Sequence, residues 1–95
     1  MIFVINNLKY DTDKMELVSD KCHYKWLGTI LGNTMKFDGR EVKLYKSKKG
    51  NWLLTFKKDY GITSGRALTE KEVKNLLMNY DVETYEKLFG ELEEA

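Results

Sequence analysis

The stretch Leu44 to Phe56 reads as a β-hairpin with a basic tip, and its register limits how every neighbouring strand can pair. Apolar runs rich in aromatic and branched residues flank Ser47-Lys48-Lys49-Gly50-Asn51, a polar segment with one glycine. A three-residue loop of Lys48, Lys49 and Gly50, a type I turn followed by glycine in the left-handed region, sets Ser47 opposite Asn51. Leu44 then pairs with Leu54, Val42 with Phe56, and Lys46 with Trp52, whose indole the lysine stem can cover. A two-residue loop would set Trp52, Leu54 and Phe56 against Ser47, Tyr45 and Lys43 and mix the two faces. Because a one-residue slip moves every side chain to the other face, the three-residue loop is the one that keeps an apolar face intact.

Turn chemistry extends this frame in both directions. Ile2 to Ile5 reads as a strand, Asn6-Asn7 as a two-residue turn and Leu8-Lys9-Tyr10 as the return, with Ile5 against Leu8 and Phe3 against Tyr10. Asp13 to Ser19 fits two patterns: Asp13 with Glu16 resembles a capping box, while Met15-Glu16-Leu17 alternates like a strand. A short helix or turn is the expectation there. Taking Gly32-Asn33 and Asp38-Gly39 as two-residue loops pairs Ile30 with Met35 and Met35 with Val42. One row, Ile30, Met35, Val42 and Phe56, then crosses four strands, and Tyr24, Trp26, Phe37, Leu44, Trp52 and Leu54 share its face by period-two alternation. The opposite face, with Lys36 opposite Glu41, Lys43 opposite Thr55 and Tyr45 opposite Leu53, is mixed and expected to be partly exposed.

Asp59 to Arg66, with two glycines and no periodicity, reads as a loop. A helix start follows: Thr69 and Glu72 make a capping box, and Leu68 and Val73 are placed for a hydrophobic staple. Val73, Leu76, Leu77 and Tyr80 share one helical face. Asp81 can cap a second helix carrying Val82, Tyr85, Leu88 and Phe89, which Gly90 suits to end. Helices this short are marginal alone and must dock, and the apolar sheet face is the surface for them. The prediction is an α+β domain over residues 1–90: an antiparallel β-meander of four to six strands with two short C-terminal helices packed on one face. Residues 91–95 read as an acidic C-terminal tail.

At 95 residues there is room for one modest core, and an aromatic content of 13% marks a folded chain. Cys22 is the single cysteine, so no intramolecular disulfide can form and a reducing, cytoplasmic setting is expected. Met1 to Ile5 lacks the basic start and length of a signal peptide, and no apolar run approaches the roughly 20 residues of a membrane span.

The net charge of +1 conceals a dipole. Residues 36–66 carry nine cations against three carboxylates, a net of +6, and residues 67–95 carry three against eight, a net of −5. The basic hairpin, through Lys43, Lys46, Lys48, Lys49, Lys57 and Lys58, could follow a phosphate backbone with Tyr45 or Tyr60 stacking on a base. Lysines also guard sheet edges against strand-to-strand pairing. The acidic helices could meet a basic groove on another protein, or simply be the polar faces of amphipathic helices.

No catalytic constellation is present. His23 is the only histidine and Cys22 beside it points to the other face of a strand, which gives no spaced metal-ligand set. Gly61-Ile62-Thr63-Ser64-Gly65-Arg66 has the small residues of an anion-binding nest but lacks the glycine-lysine-serine/threonine ending of a nucleotide loop. No enzyme activity and no cofactor are expected.

Three segments resemble a pattern among short proteins carried by phages and other mobile elements of Gram-positive bacteria. They are Tyr10-Asp11-Thr12, Leu44-Tyr45-Lys46-Ser47-Lys48-Lys49-Gly50-Asn51-Trp52 and Leu68-Thr69-Glu70-Lys71-Glu72-Val73. Met15, where a small residue is common, and Leu54-Thr55, in place of a more aromatic strand, depart from it. The resemblance implies a host-directed protein of the infected bacterial cytoplasm, similar to anti-CRISPR inhibitors that bind a CRISPR effector nuclease stoichiometrically. An acidic contact through Glu83, Glu86, Glu91, Glu93 and Glu94 would suit such a target, since carboxylates can stand in for phosphates in a channel lined with lysine and arginine. The alternative is a nucleic-acid-binding module that uses the basic hairpin. A free sheet edge, the amino-terminal strand foremost, would allow a weak dimer beside the monomer.

Overall fold

The computed structural model describes residues 1–58 and 61–95. In chain order the strands are β1 (Ile2–Ile5), β2 (Leu8–Asp11), β3 (Glu16–Ser19), β4 (Lys25–Ile30), β5 (Asn33–Asp38), β6 (Arg40–Lys46), β7 (Trp52–Lys57) and β8 (Thr63–Leu68). A 3-10 turn, Thr12–Lys14, follows β2, and the helices α1 (Glu70–Tyr80) and α2 (Val82–Phe89) follow the strands. The fold is α+β and antiparallel throughout, with both helices at the C-terminal end. Three ladders divide the strands: β1-β2, β4-β5, and a four-stranded sheet in the order β3-β6-β7-β8.

The central hairpin has the three-residue loop. Ser47 and Asn51 face each other, with the Ser47 amide donating to the Asn51 carbonyl at 2.8 Å, and Gly50 takes a φ of 88°. Leu44 pairs with Leu54, Lys43 with Thr55, Tyr45 with Leu53 and Lys46 with Trp52. Lys46 Nζ lies 5.2 Å from the Trp52 ring centroid. The amino-terminal hairpin turns on Asn6 and Asn7, both at positive φ, and pairs Ile5 with Leu8 and Phe3 with Tyr10. At α1 the Thr69 and Glu72 side chains each accept from the other's backbone amide. Asp81 caps α2, and Gly90 ends it at a φ of 98°.

Beyond these turns the pairing departs from the sequence expectation. The β4-β5 loop is Leu31-Gly32, not Gly32-Asn33, so Met35 faces Gly28 instead of Ile30. The shift is by two positions in pairing, which preserves which side chains share a face. It sets Trp26 against Phe37, with rings 5.7 Å apart and nearly parallel, and Lys25 against Asp38. Strand β5 does not pair with β6 at all, so there is no row of four paired residues from Ile30 to Phe56. Instead β3 takes the place beside β6, and the segment Asp13 to Ser19 becomes a short 3-10 turn followed by a strand. The expected Val42 to Phe56 pair falls in a bulge, where the register shifts between Arg40 and Lys43 and Glu41 stands at a φ of 49°. Of the expected loop from Asp59 to Arg66, Asp59 and Tyr60 lie outside the described residues. Thr63 to Arg66 belong to β8, which completes the far side of the sheet against β7.

Both faces of the four-stranded sheet are covered. On one face Val42, Leu44, Trp52, Leu54 and Phe56 meet Val73 and Leu77 of α1, with Leu76, Tyr85 and Phe89 packed around them. This is where the two amphipathic helices bury their apolar stripes. On the other face Leu53 is fully buried and Thr55 nearly so, while Lys43 is exposed and Tyr45 half-buried, which makes it the mixed, partly exposed surface expected there. The β1-β2 hairpin supplies the cover. Tyr10 is buried, and the Phe3 ring lies so close to Gly65 that a Cβ there would approach its Cδ1 to 2.8 Å.

Candidate functional site

The acidic pole is built by the end of the chain. Asp81 accepts from the Thr84 amide and starts α2 at a fixed angle to α1, which sends Glu83 outward from the first helical turn. Glu86 follows one turn later, half-buried, and its Oε2 accepts from the Leu92 amide at 3.0 Å. That bond ties the start of the tail to the helix, and Glu91, Glu93 and Glu94 stand exposed along it. Among the described residues, none of Glu83, Glu86, Glu91, Glu93 and Glu94 forms an ion pair. Val82, Leu88 and Leu92 are exposed among them. Glu72, by contrast, is used within the fold: the Thr69 backbone amide and hydroxyl and the Arg66 guanidinium hold its carboxyl below the usual range.

The basic residues do not form one strip. Strand alternation sends Lys43 and Lys57 to the face covered by the amino-terminal hairpin, while Lys46 lies over Trp52 on the helix face. Lys48 and Lys49 are exposed at the hairpin tip. Lys57 is committed to Glu41 at 2.8 Å, and the bond holds the Glu41 carboxyl below its ordinary value. Lys58, at the far end of β7, sits 5.7 Å from the Trp26 ring centroid. Tyr45 is half-buried beside Leu53, and Tyr60, the other tyrosine considered for base stacking, lies outside the described residues. A groove of about 500 Å³ does open beside the tip, between Leu8, Tyr10 and Met15 on one side and Lys48, Lys49 and Asn51 on the other.

Two features lie outside both poles. One is a row of half-buried rings that the sequence had set on one face, in which Tyr24 and Trp26 rest on Phe56 and Phe37 stacks on Trp26. Arg66 donates to the Tyr24 hydroxyl at 2.8 Å, and its guanidinium carbon lies 5.7 Å from the Tyr24 ring centroid. The other is a polar joint in which Ser19 donates to Asp81 at 2.6 Å and accepts from Cys22. Burial pushes the Cys22 thiol up, so it is a poor nucleophile. His23 is exposed and packs on the Tyr80 ring at 4.9 Å. Among the described residues no group of three His, Cys, Asp or Glu is placed to hold a metal ion, and no helix is long and apolar enough to cross a membrane.

The chain matches no protein-family model, no curated protein and no solved structure. Its functional reading therefore rests on its own residues.

Proposed function

We propose that this is a small phage-type protein that acts by binding, as a stoichiometric inhibitor of a bacterial defence enzyme. The observation that carries the reading is α2 and the tail, which hold five carboxylates without ion-pair partners among the described residues together with the exposed side chains of Val82, Leu88 and Leu92. Carboxylates alone would mark an ordinary solvated helix face. Interleaved with apolar side chains, they suit a partner surface that is both basic and apolar, as the walls of a nucleic-acid channel are. The resemblance to short proteins of mobile elements narrows the target to a CRISPR effector nuclease, in whose positively charged channel the acidic pole would occupy the place of phosphates. Inhibition of this kind works by occupancy and asks for no catalytic group.

Titration of the protein into a guide-loaded effector nuclease, read by cleavage of target DNA, tests this. Inhibition saturating at a fixed molar ratio is the expected result, relieved by the combined Glu83→Lys, Glu86→Lys and Glu91→Lys substitutions. The same triple reversal leaving inhibition unchanged would remove the acidic pole from the reading. The second reading, nucleic-acid binding, is favoured by the exposed Lys48 and Lys49 beside their groove, which form no ion pair among the described residues. It requires salt-dependent binding of short DNA, lost on Lys46→Glu, Lys48→Glu and Lys49→Glu.

A further inference from the structure

The β4-β5 hairpin stands apart from the sheet, and its outer edges are open. Two-stranded hairpins are marginal in water without a third strand or a packed face. Here the root is anchored, since Trp26 and Tyr24 rest on Phe56, and the Gly39 amide donates to the Tyr24 carbonyl at 2.8 Å. The outer half has no such support. Leu31 is 97% exposed, Leu27 66%, Met35 47% and Ile30 45%. From Leu27 to Met35 there is not one charged residue, in a chain that is 33% charged. Leu31 also holds a φ of 51°, a conformation that costs a leucine about 1 kcal/mol and that folding of the single chain does not reward with burial.

Beyond Lys25, β4 also lacks the devices that protect sheet edges. Its register runs without a bulge from Lys25 to Ile30, and the chain contains no proline. The two-residue turn makes Ile30 and Asn33 a hydrogen-bonded pair, so along β4 the hydrogen-bonding groups of Leu27 and Thr29 point away from β5. Among the described residues neither backbone makes a bond to another element.

We infer that this protein forms a two-fold dimer by antiparallel pairing of β4 with the β4 of a second copy, centred on Gly28. The register is self-complementary. Leu27 of one copy exchanges backbone bonds with Thr29 of the other, and by symmetry the reverse, which uses all the outward-pointing groups of both residues. Trp26 then lies directly opposite Ile30 of the second copy, on the same face. The exposed Leu31 comes to rest against the alkyl stem of Lys25, so no like charges face one another. Gly28 meets Gly28 at the axis, where the absence of a side chain lets the two ribbons approach. The result is a continuous four-stranded sheet, β5-β4-β4-β5. Five paired strand residues a side, Trp26 to Ile30, make an interface at the small end of specific contacts, so the dimer is a weak one.

Sedimentation velocity on the full chain, from about 1 µM to 1 mM, is the first test, an interval in which so small an interface should dissociate. Growth toward twice the 11.2 kDa chain mass with concentration is expected. Leu27→Lys, at a position open to solvent in the single chain, should hold the protein monomeric with its near-ultraviolet circular dichroism unchanged. Register is tested by oxidising mixed variants in which Cys22→Ser removes the native thiol and one new cysteine is introduced. L27C mixed with T29C should give a disulfide-linked dimer, and either variant alone should give none. Gly28 is unsuitable for this purpose because a Cβ there meets the Phe37 ring at 2.7 Å. A wild-type chain that stays monomeric to 1 mM, a dimer that survives Leu27→Lys, or equal cross-linking of the variants alone and mixed would each overturn the inference.

Discussion

The Ser19 hydroxyl donates to Asp81 Oδ2 at 2.6 Å, across 62 positions of sequence, and so ties the end of β3 to the start of α2. Asp81 also accepts from the Thr84 hydroxyl at 2.8 Å and the Thr84 amide at 3.3 Å. Ser19 in turn accepts from the Lys21 amide and from Cys22. A buried carboxylate fully occupied in this way fixes the approach of the second helix to the sheet.

Removal of Asp81 should therefore cost more than removal of a surface cap. Asp81→Ala takes away a helix cap and leaves the Ser19 hydroxyl without its acceptor, a loss of about 3 kcal/mol. Ser19→Ala should cost about 1 to 2 kcal/mol, and the double variant less than the two together. Urea unfolding of the four proteins measures the coupling. Strict additivity would show that the two residues act independently.

The same joint sets a pH dependence. Burial pushes the Asp81 carboxyl up, but the hydrogen bonds from Ser19 and Thr84 outweigh it and hold the folded-state value below that of a free aspartate. A depressed folded value contributes stability that is fully present above the unfolded value, near pH 4, and is lost as pH falls through the folded one. The stability gap between wild type and Asp81→Asn should therefore be constant from about pH 7 to 5 and narrow below about pH 4. A gap that stays constant to pH 2 would contradict it.

Gly65→Ala tests how the second face of the sheet is covered. The added methyl would meet the Phe3 ring at 2.8 Å and lift the amino-terminal hairpin from β8, at a cost of about 1 to 3 kcal/mol. Phe3→Leu in the same chain should restore part of that loss. Thermal melts of the single and double variants decide it, and no rescue would mean that Phe3 is not what Gly65 accommodates.

Leu31→Asn should stabilise the single chain by about 0.5 to 1 kcal/mol, because Asn-Gly is a favoured pair for a turn with two positive φ angles. Unfolding at low micromolar concentration, where the chain is monomeric, is the measurement. A loss of stability would show that Leu31 makes a contact within its own chain.

Where a turn residue left little choice, its geometry was legible. Asn6-Asn7, Gly50, Thr69 with Glu72, and Gly90 each announce a backbone conformation that few other residues take, and each appears as expected. The central register followed from face consistency. The β4-β5 loop was misplaced because Leu31 in the left-handed region is a poor turn residue. What wins is the stacking of Trp26 on Phe37, the fit of the Phe37 ring over Gly28 and the Lys25 to Asp38 pair. The partner of β6 differs from the expectation because Asp13 to Ser19 carries a capping-box pattern and a strand pattern at once, and only tertiary pairing chooses between them. The acidic residues were legible as a cluster. The partnering of Ser19 with Asp81 and of Arg66 with Tyr24 was not, since nothing local announces contacts over such separations.

The direct pairing of β3 with β6 has a consequence for how this chain can change. The two strands are neighbours in the sheet, so everything between Ser19 and Arg40 is an excursion that leaves the scaffold and returns to it. Its neck is closed by the Gly39 to Tyr24 bond and by the Trp26 and Phe37 rings. Past that neck the segment from Leu27 to Lys36 contributes no residue to the buried core, and apart from Gly28, which the Phe37 ring covers, its side chains are free of the packing that holds the scaffold together. A lineage under pressure to meet new partners could alter its contacts there without re-solving the problem of folding.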